Sequence, residues 1–256
     1  MSETPPTPPP APDAVAWGLT EALAILAAAL AAQLFLAALL GTFARGVIGL
    51  LDTGVLRGPE DVDNLVVLVT VAPAAILSSA FTIALLHHSV SRIHGRPLLS
   101  SLRLKRPGAG ATAAFLALGA GVAVVFAAAA SLYPPSEDQD VGGALTHLLE
   151  SGPVGQALWL TLAAVVAPVV EEMLFRGYLY LGARRRLGPL GAGAFGAITF
   201  AALHVGETGS YWPALTGIFL LAALLTVILE RTGNLTYCIC CHLGYNAALV
   251  GLALTG

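Results

Sequence analysis

Lysine is almost missing from this chain. Lys105 is the single lysine among twelve basic residues, and charged residues of every kind make up 11% of the sequence, against about 25% in ordinary soluble domains. The net charge of -3 is spread among connecting segments. No basic surface is left to attract nucleic acid, and none is expected as a partner. Metal-protease signatures are also lacking: there is no HExxH and no local pair of ligands. No basic residue precedes the first apolar run, as a secretory signal would require. The prolines of Met1 to Asp13 (MSETPPTPPPAPD) therefore read as a disordered tail with no cleaved leader. Internal repeats and paired broken helices, the marks of many transporters, are not found.

What is present is apolar sequence: 57% hydrophobic residues and a mean hydropathy of +0.82. The expectation is an all-α polytopic membrane protein. Seven stretches are long enough, or nearly so, to cross about 30 Å of hydrocarbon. They lie near Ala14 to Phe43, Asn64 to Val90, Ala109 to Tyr133, Val154 to Leu181, Leu190 to His204, Trp212 to Leu229 and Leu235 to Leu254. The fifth is short. Residues 14–150 form the N-terminal spans and loops, and 151–256 the candidate catalytic core. The segment 91–108 carries Arg92, Arg96, Arg103, Lys105 and Arg106, and Arg184 to Arg186 follow the fourth span, whereas 134–153 has acids and no Lys or Arg. Positive-inside orientation puts the N-terminus, the 91–108 loop, the triple arginine and 230–234 in the cytoplasm, with the loop at Asp138 outside. Arginine in place of lysine, with abundant alanine, suggests a bacterial cytoplasmic membrane.

Ionisable groups inside spans are costly, about 2.5 to 3.5 kcal/mol each near the bilayer centre on insertion scales. Pro168-Val-Val-Glu171-Glu172-Met-Leu-Phe-Arg176 places three of them in an apolar helix. Phe200-Ala-Ala-Leu-His204 and His242-Leu-Gly-Tyr-Asn246 place more polar groups in later spans. Counted from the nearest basic turn at helical rise, Glu171 and His204 lie about 20 Å deep and His242 about 16 Å. Residues four apart share a helix face, so Glu172 pairs with Arg176 and His242 with Asn246. Glu171 then projects about 100° away, free for chemistry. A carboxylate near imidazole in a partly dry cavity is suited to general base work.

These motifs resemble EExxxR, FxxxH and HxxxN of the CPBP family, which includes the CAAX prenyl endopeptidases and the Abi proteins. Glu230-Arg-Thr-Gly-Asn-Leu235 resembles the family's lead-in to the last motif. The resemblance covers residues 155 to 250 and no part of the N-terminal half. It implies an intramembrane endopeptidase acting on a protein or peptide substrate at the membrane. Glu171 and His204 would activate water, His242 and Asn246 would hold the scissile carbonyl or its oxyanion, and Glu172 and Arg176 would be structural support. No cofactor is preferred. The alternative is zinc held by Glu171, His204 and His242, a His₂Glu set with one open position. Rival functions are a non-catalytic membrane scaffold or immunity protein, and a proton-coupled transporter.

Two motifs are expected to be decoys. Cys238-Ile-Cys-Cys241-His242 matches the C-x-x-C-H haem signal but falls inside an apolar span, where the cysteines read as packing residues. Gly191-Ala-Gly193-Ala-Phe-Gly196 matches GxGxxG without a preceding strand, and reads as small residues that let the fifth helix approach its neighbours. His87, His88 and His94 are expected at the interface.

Overall fold

Backbone amides cannot be left unpaired in hydrocarbon, and helices pair them internally. The computed structural model accordingly contains helices and no strands among the residues it describes, 15–51, 59–136, 152–209 and 211–255. The proline-rich tail and the loop at Asp138 lie outside these residues. Helix α1 (Leu19–Leu51) is followed by α2 (Pro59–His87), which runs on through a π-helical turn, π1 (His88–Ile93). The short α3 (Leu98–Ser101) leads to the alanine-rich α4 (Ala109–Ala130). The C-terminal half comprises α5 (Gly152–Thr161), π2 (Leu162–Val166), α6 (Ala167–Glu172), π3 (Met173–Tyr180), α7 (Leu181–Leu203), α8 (Val205–Thr208), α9 (Trp212–Thr232) and α10 (Leu235–Thr255).

Six helices among the described residues are long and apolar enough to cross a membrane, where the sequence suggests seven. The difference is one continuous apolar helix of 48 residues, Gln156–Leu203. Straight, it would measure about 72 Å, more than twice the hydrocarbon thickness. It is not straight. Gly188 has φ 70° and ψ 172°, a conformation that only glycine adopts without strain, and Pro189 follows it without an amide hydrogen. The rings of Phe175 and Phe200, on opposite sides of this break, meet with centroids 4.9 Å apart. The chain therefore folds back at Gly188, and the fourth and fifth expected spans are the two limbs of a helical hairpin.

Burial sorts the helices. Half of the most apolar window of α10 is buried, against 11% in α1 and in α4. So α10 is central, and the outer faces of α1 and α4 carry side chains such as Leu34, Phe35 and Val125, all more than 60% exposed. In water such a surface would aggregate; in lipid it is the wetted face.

Polar contacts gather at the two ends of the bundle. At one end Trp17 Nε1 donates to the Tyr178 carbonyl at 2.9 Å, and its ring stacks on Tyr178. Glu21 accepts from Ser89, from Tyr178 at 3.0 Å and from His94 Nε2 at 3.0 Å, and Ser89 also bonds the Tyr178 hydroxyl. His87 and His88 are exposed, and His94 is tied to α1 through Glu21. Arg184 pairs with Glu230 at 2.9 Å. The Arg103 carbonyl accepts from Leu235 N, and Asn234 Oδ1 accepts from the backbone amides of Lys105 and Thr236. At the opposite end Tyr211 donates to the Ala130 and Tyr133 carbonyls, and Tyr133 meets Trp212 edge to face. The basic segments assigned to one side of the membrane are thus together at one end.

Candidate active site

Pro168 shapes the helix that carries the two carboxylates. In π2 the Ala167 amide bonds the Leu162 carbonyl, five residues back. The next rung would run from residue 168 to Ala163, and proline has no hydrogen to supply it. The orphaned Ala163 carbonyl accepts instead from Asn246 Nδ2 at 2.8 Å. One residue of the HxxxN motif is therefore bound to the backbone of the helix that bears EExxxR. π-Helical turns concentrate at functional sites, and a second one, π3, begins directly after Glu172.

Glu172 is the hub. It is fully buried, and Oε1 accepts from Arg176 Nη1 at 2.8 Å and from His242 Nδ1 at 2.9 Å. Arg176, 3% exposed, also lies over the Phe200 ring at 4.6 Å. Three motifs on three limbs are tied at one point. The expected Glu172–Arg176 pair is present, but Glu172 does more than support Arg176, because it also fixes the His242 ring. A carboxylate only accepts, so Nδ1 carries the hydrogen and Nε2 of neutral His242 is left with its lone pair. That Nε2 stands 3.8 Å from Glu171 Oε2, too far for a direct hydrogen bond.

Glu171 is the open member of the pair. Its side chain is 29% exposed, whereas that of Glu172 is wholly enclosed. His204 ends α7 and is half-buried; its Nδ1 is 2.7 Å from the Phe200 carbonyl, so its Nε2 is also the free nitrogen. Phe200 stands between the two imidazoles, with centroids 4.6 Å from His204 and 6.0 Å from His242. The imidazole nitrogen seen against Glu171 is Nε2 of His242.

One acid near the site escapes the sequence motifs. Glu207, one helical turn beyond His204, interacts electrostatically with both His204 and Glu171. The protein around its carboxyl raises its pKa above the ordinary carboxylate value; His204 pulls it down and Glu171 pushes it further up. Its side chain is exposed at the surface, so solvent tempers the effect. Its only sequence signal is the i+3 spacing from His204.

The decoys resolve into packing. Cys238, Cys240 and Cys241 are buried free thiols, and Cys238 Sγ lies 3.2 Å from the Leu225 carbonyl. Of the glycines in the GxGxxG match, Gly193 approaches another helix, at Thr226. Among the described residues no group of three His, Cys, Asp or Glu side chains is gathered tightly enough to hold a metal ion. Glu171 and the two free Nε2 atoms remain the groups that would ligate zinc if they converged.

The Asn246 contact gives a double-mutant prediction. Asn246→Ala should leave the Ala163 carbonyl unpaired and cost about 1 to 3 kcal/mol. Pro168→Ala restores an amide at that rung, so Asn246→Ala should cost markedly less stability in the Pro168→Ala background. Melting temperatures of the four proteins in detergent measure the coupling; simple additivity would show that the carbonyl does not depend on Asn246.

Comparison with curated proteins gives no match, and neither does comparison with solved structures. A family match does emerge, over a little more than a third of the chain, and it contains Glu171, Glu172, Arg176, His204, His242 and Asn246. Residues 153–248 match the family model for Rce1-like proteins, described as type II CAAX prenyl endopeptidase Rce1-like, the group to which the three motifs point.

Proposed function

We propose that this integral membrane protein is an intramembrane endopeptidase of the CAAX-protease type. The observation that carries the proposal is the division of labour between adjacent carboxylates. Glu172 is buried and committed to Arg176 and His242, while Glu171 is accessible and faces the free nitrogen of His242. A water beside the line between Glu171 Oε2 and His242 Nε2 can contact both. Glu171, assisted by His204, takes a proton from that water as its oxygen attacks the scissile carbonyl carbon. The Glu171 carboxyl then passes that proton to Nε2 of His242, which becomes an imidazolium with the Glu172 carboxylate as its counterion on the Nδ1 side. From Nε2 it stabilises the oxyanion and then gives the proton to the departing amine as the C–N bond breaks. The second amide hydrogen of Asn246 is available to the same oxyanion. The substrate is a protein or peptide reached at the membrane.

The test compares membranes containing the wild-type chain with membranes containing Glu171→Gln by mapping protein termini. New termini that depend on Glu171 are expected. Identical termini would favour a scaffold, and proton flux that depends on Glu171 without cleavage would favour a transporter.

Two further outcomes are expected. Cleavage should survive exhaustive chelation, because carboxylate, imidazole and amide suffice for these steps. Loss restored by stoichiometric zinc would instead install a metal on Glu171, His204 and His242. The end of the bundle that holds Arg103, Arg184 and Glu230 should face the cytoplasm, because only its loops are basic. A cysteine placed at Arg185 should then be protected from an impermeant thiol reagent in intact cells and labelled after lysis; labelling from outside would invert the topology.

A further inference from the structure

At the end of the bundle away from Tyr211 lies a polar cavity of about 510 Å³. Its charged lining comprises Arg96, Arg103, Lys105, Arg184 and Glu230, four cations against one carboxylate, and that carboxylate is already paired with Arg184. Arg96 and Lys105 form no ion pair with a described residue, and Arg103 acts on the already paired Glu230 only through space. Unpaired cations converging on one cavity repel each other unless an anion joins them.

The convergence is built into the backbone. Arg103 has φ 59°, the left-handed region that a non-glycine residue adopts at a cost. It is held there between the fully buried Leu102 and the hydrogen bond from Leu235 N to its own carbonyl. Lys105 Nζ is placed beside Gly233, at the junction of α9 and α10. Val15, backed by the buried Trp17, adds an apolar edge to the otherwise polar cavity. Pocket, basic loops and helix termini share one end of the bundle, where the apolar helices stop.

We infer that this cavity binds the phosphodiester headgroup of an anionic phospholipid. The cations meet the phosphate, and Val15 meets the glycerol and the start of the acyl chains. Basic pockets among helix ends at the membrane surface select such headgroups, and each Lys or Arg contributes about 1 kcal/mol of attraction. The bound lipid bridges the segment before α1, the α3 turn, the start of α7 and the α9–α10 junction. This binding is independent of the proteolytic reading, and its test measures binding rather than cleavage.

Purified full-length protein in a neutral detergent is titrated with phosphatidylglycerol, phosphatidylcholine or inorganic phosphate, with melting temperature and lipid retention in native mass spectrometry as readouts. Phosphatidylglycerol should raise the melting temperature and be retained in preference to phosphatidylcholine. The double variant Arg96→Gln/Lys105→Gln should bind it roughly tenfold or more weakly. The charge-matched variant Arg92→Gln/Arg106→Gln alters exposed arginines outside the pocket lining and should bind like wild type. Equal effects of the two double variants would reduce the attraction to diffuse loop charge and overturn the pocket. Equal protection by phosphatidylcholine would overturn the charge selectivity, and equal protection by inorganic phosphate would overturn the lipid assignment. If Arg96→Gln/Lys105→Gln melts lower without lipid, the two single variants carry the comparison.

Discussion

Glu171→Gln should insert, fold and melt like the wild type and lose about 10²-fold or more of its turnover, the usual contribution of a general base. The substitution keeps shape and volume and removes only the proton acceptor, from a side chain that makes no close hydrogen bond among the described residues. Glu172→Gln, one residue along, should behave differently. It removes the charge shared by Arg176 and His242, both nearly enclosed. Removing one member of a buried pair costs about 3 to 5 kcal/mol, because the remaining charge stays buried. The melting temperature should fall and activity with it, since the amide no longer stabilises an imidazolium at His242. Purifying both variants and measuring melting beside peptide cleavage separates the roles. Normal cleavage by Glu171→Gln with a stable, inactive Glu172→Gln would exchange them.

A comparable loss is expected from a change that touches no ionisable group. Helices α4 and α10 meet backbone to backbone: a Cβ on Gly119 would lie 1.8 Å from the Cys241 carbonyl oxygen, and one on Gly244 would lie 2.1 Å from that of Leu116. Neither can be accommodated by a rotamer change, so Gly119→Val must push the helices apart. Overpacking costs about 1 to 3 kcal/mol and more where backbone has to move. Gly244 sits between His242 and Asn246, so displacement of α10 misplaces both, and a shift of about 1 Å can cost 10²-fold in rate. Gly121→Val is the control, because Gly121 faces open space. A Gly119→Val protein with the melting temperature and activity of Gly121→Val would show that α4 does not clamp α10.

The residues of the candidate site stood out in the sequence because intramembrane charge is rare and helical spacing is strict. Glu172 and Arg176 could be paired from their separation alone, as could the shared face of His242 and Asn246. Relations between helices were not legible. Nothing in the spacing of His242 says that it turns Nδ1 to Glu172 and Nε2 to Glu171, because helix rotation is set by packing such as the Gly119 and Gly244 contacts. The π turns were hidden for a related reason: Pro168 announces a missing hydrogen bond, but only the structure shows Asn246 supplying it. The N-terminal half, silent in motifs, contributes Trp17, Glu21, Ser89 and His94, which directly or through Glu21 hold Tyr178 two residues beyond the buried Arg176.

The Gly188–Pro189 bend has a consequence for biosynthesis. Its second limb, from Pro189 to Leu203, has about 22 Å of helical rise and is too short to span a bilayer as an autonomous helix. During translation it has to wait at the insertion machinery until it can enter against the limb before it, with Phe200 docking on Phe175. His204, at the end of that limb, should then enter only with that docking, which would make assembly of the candidate site a paired insertion event.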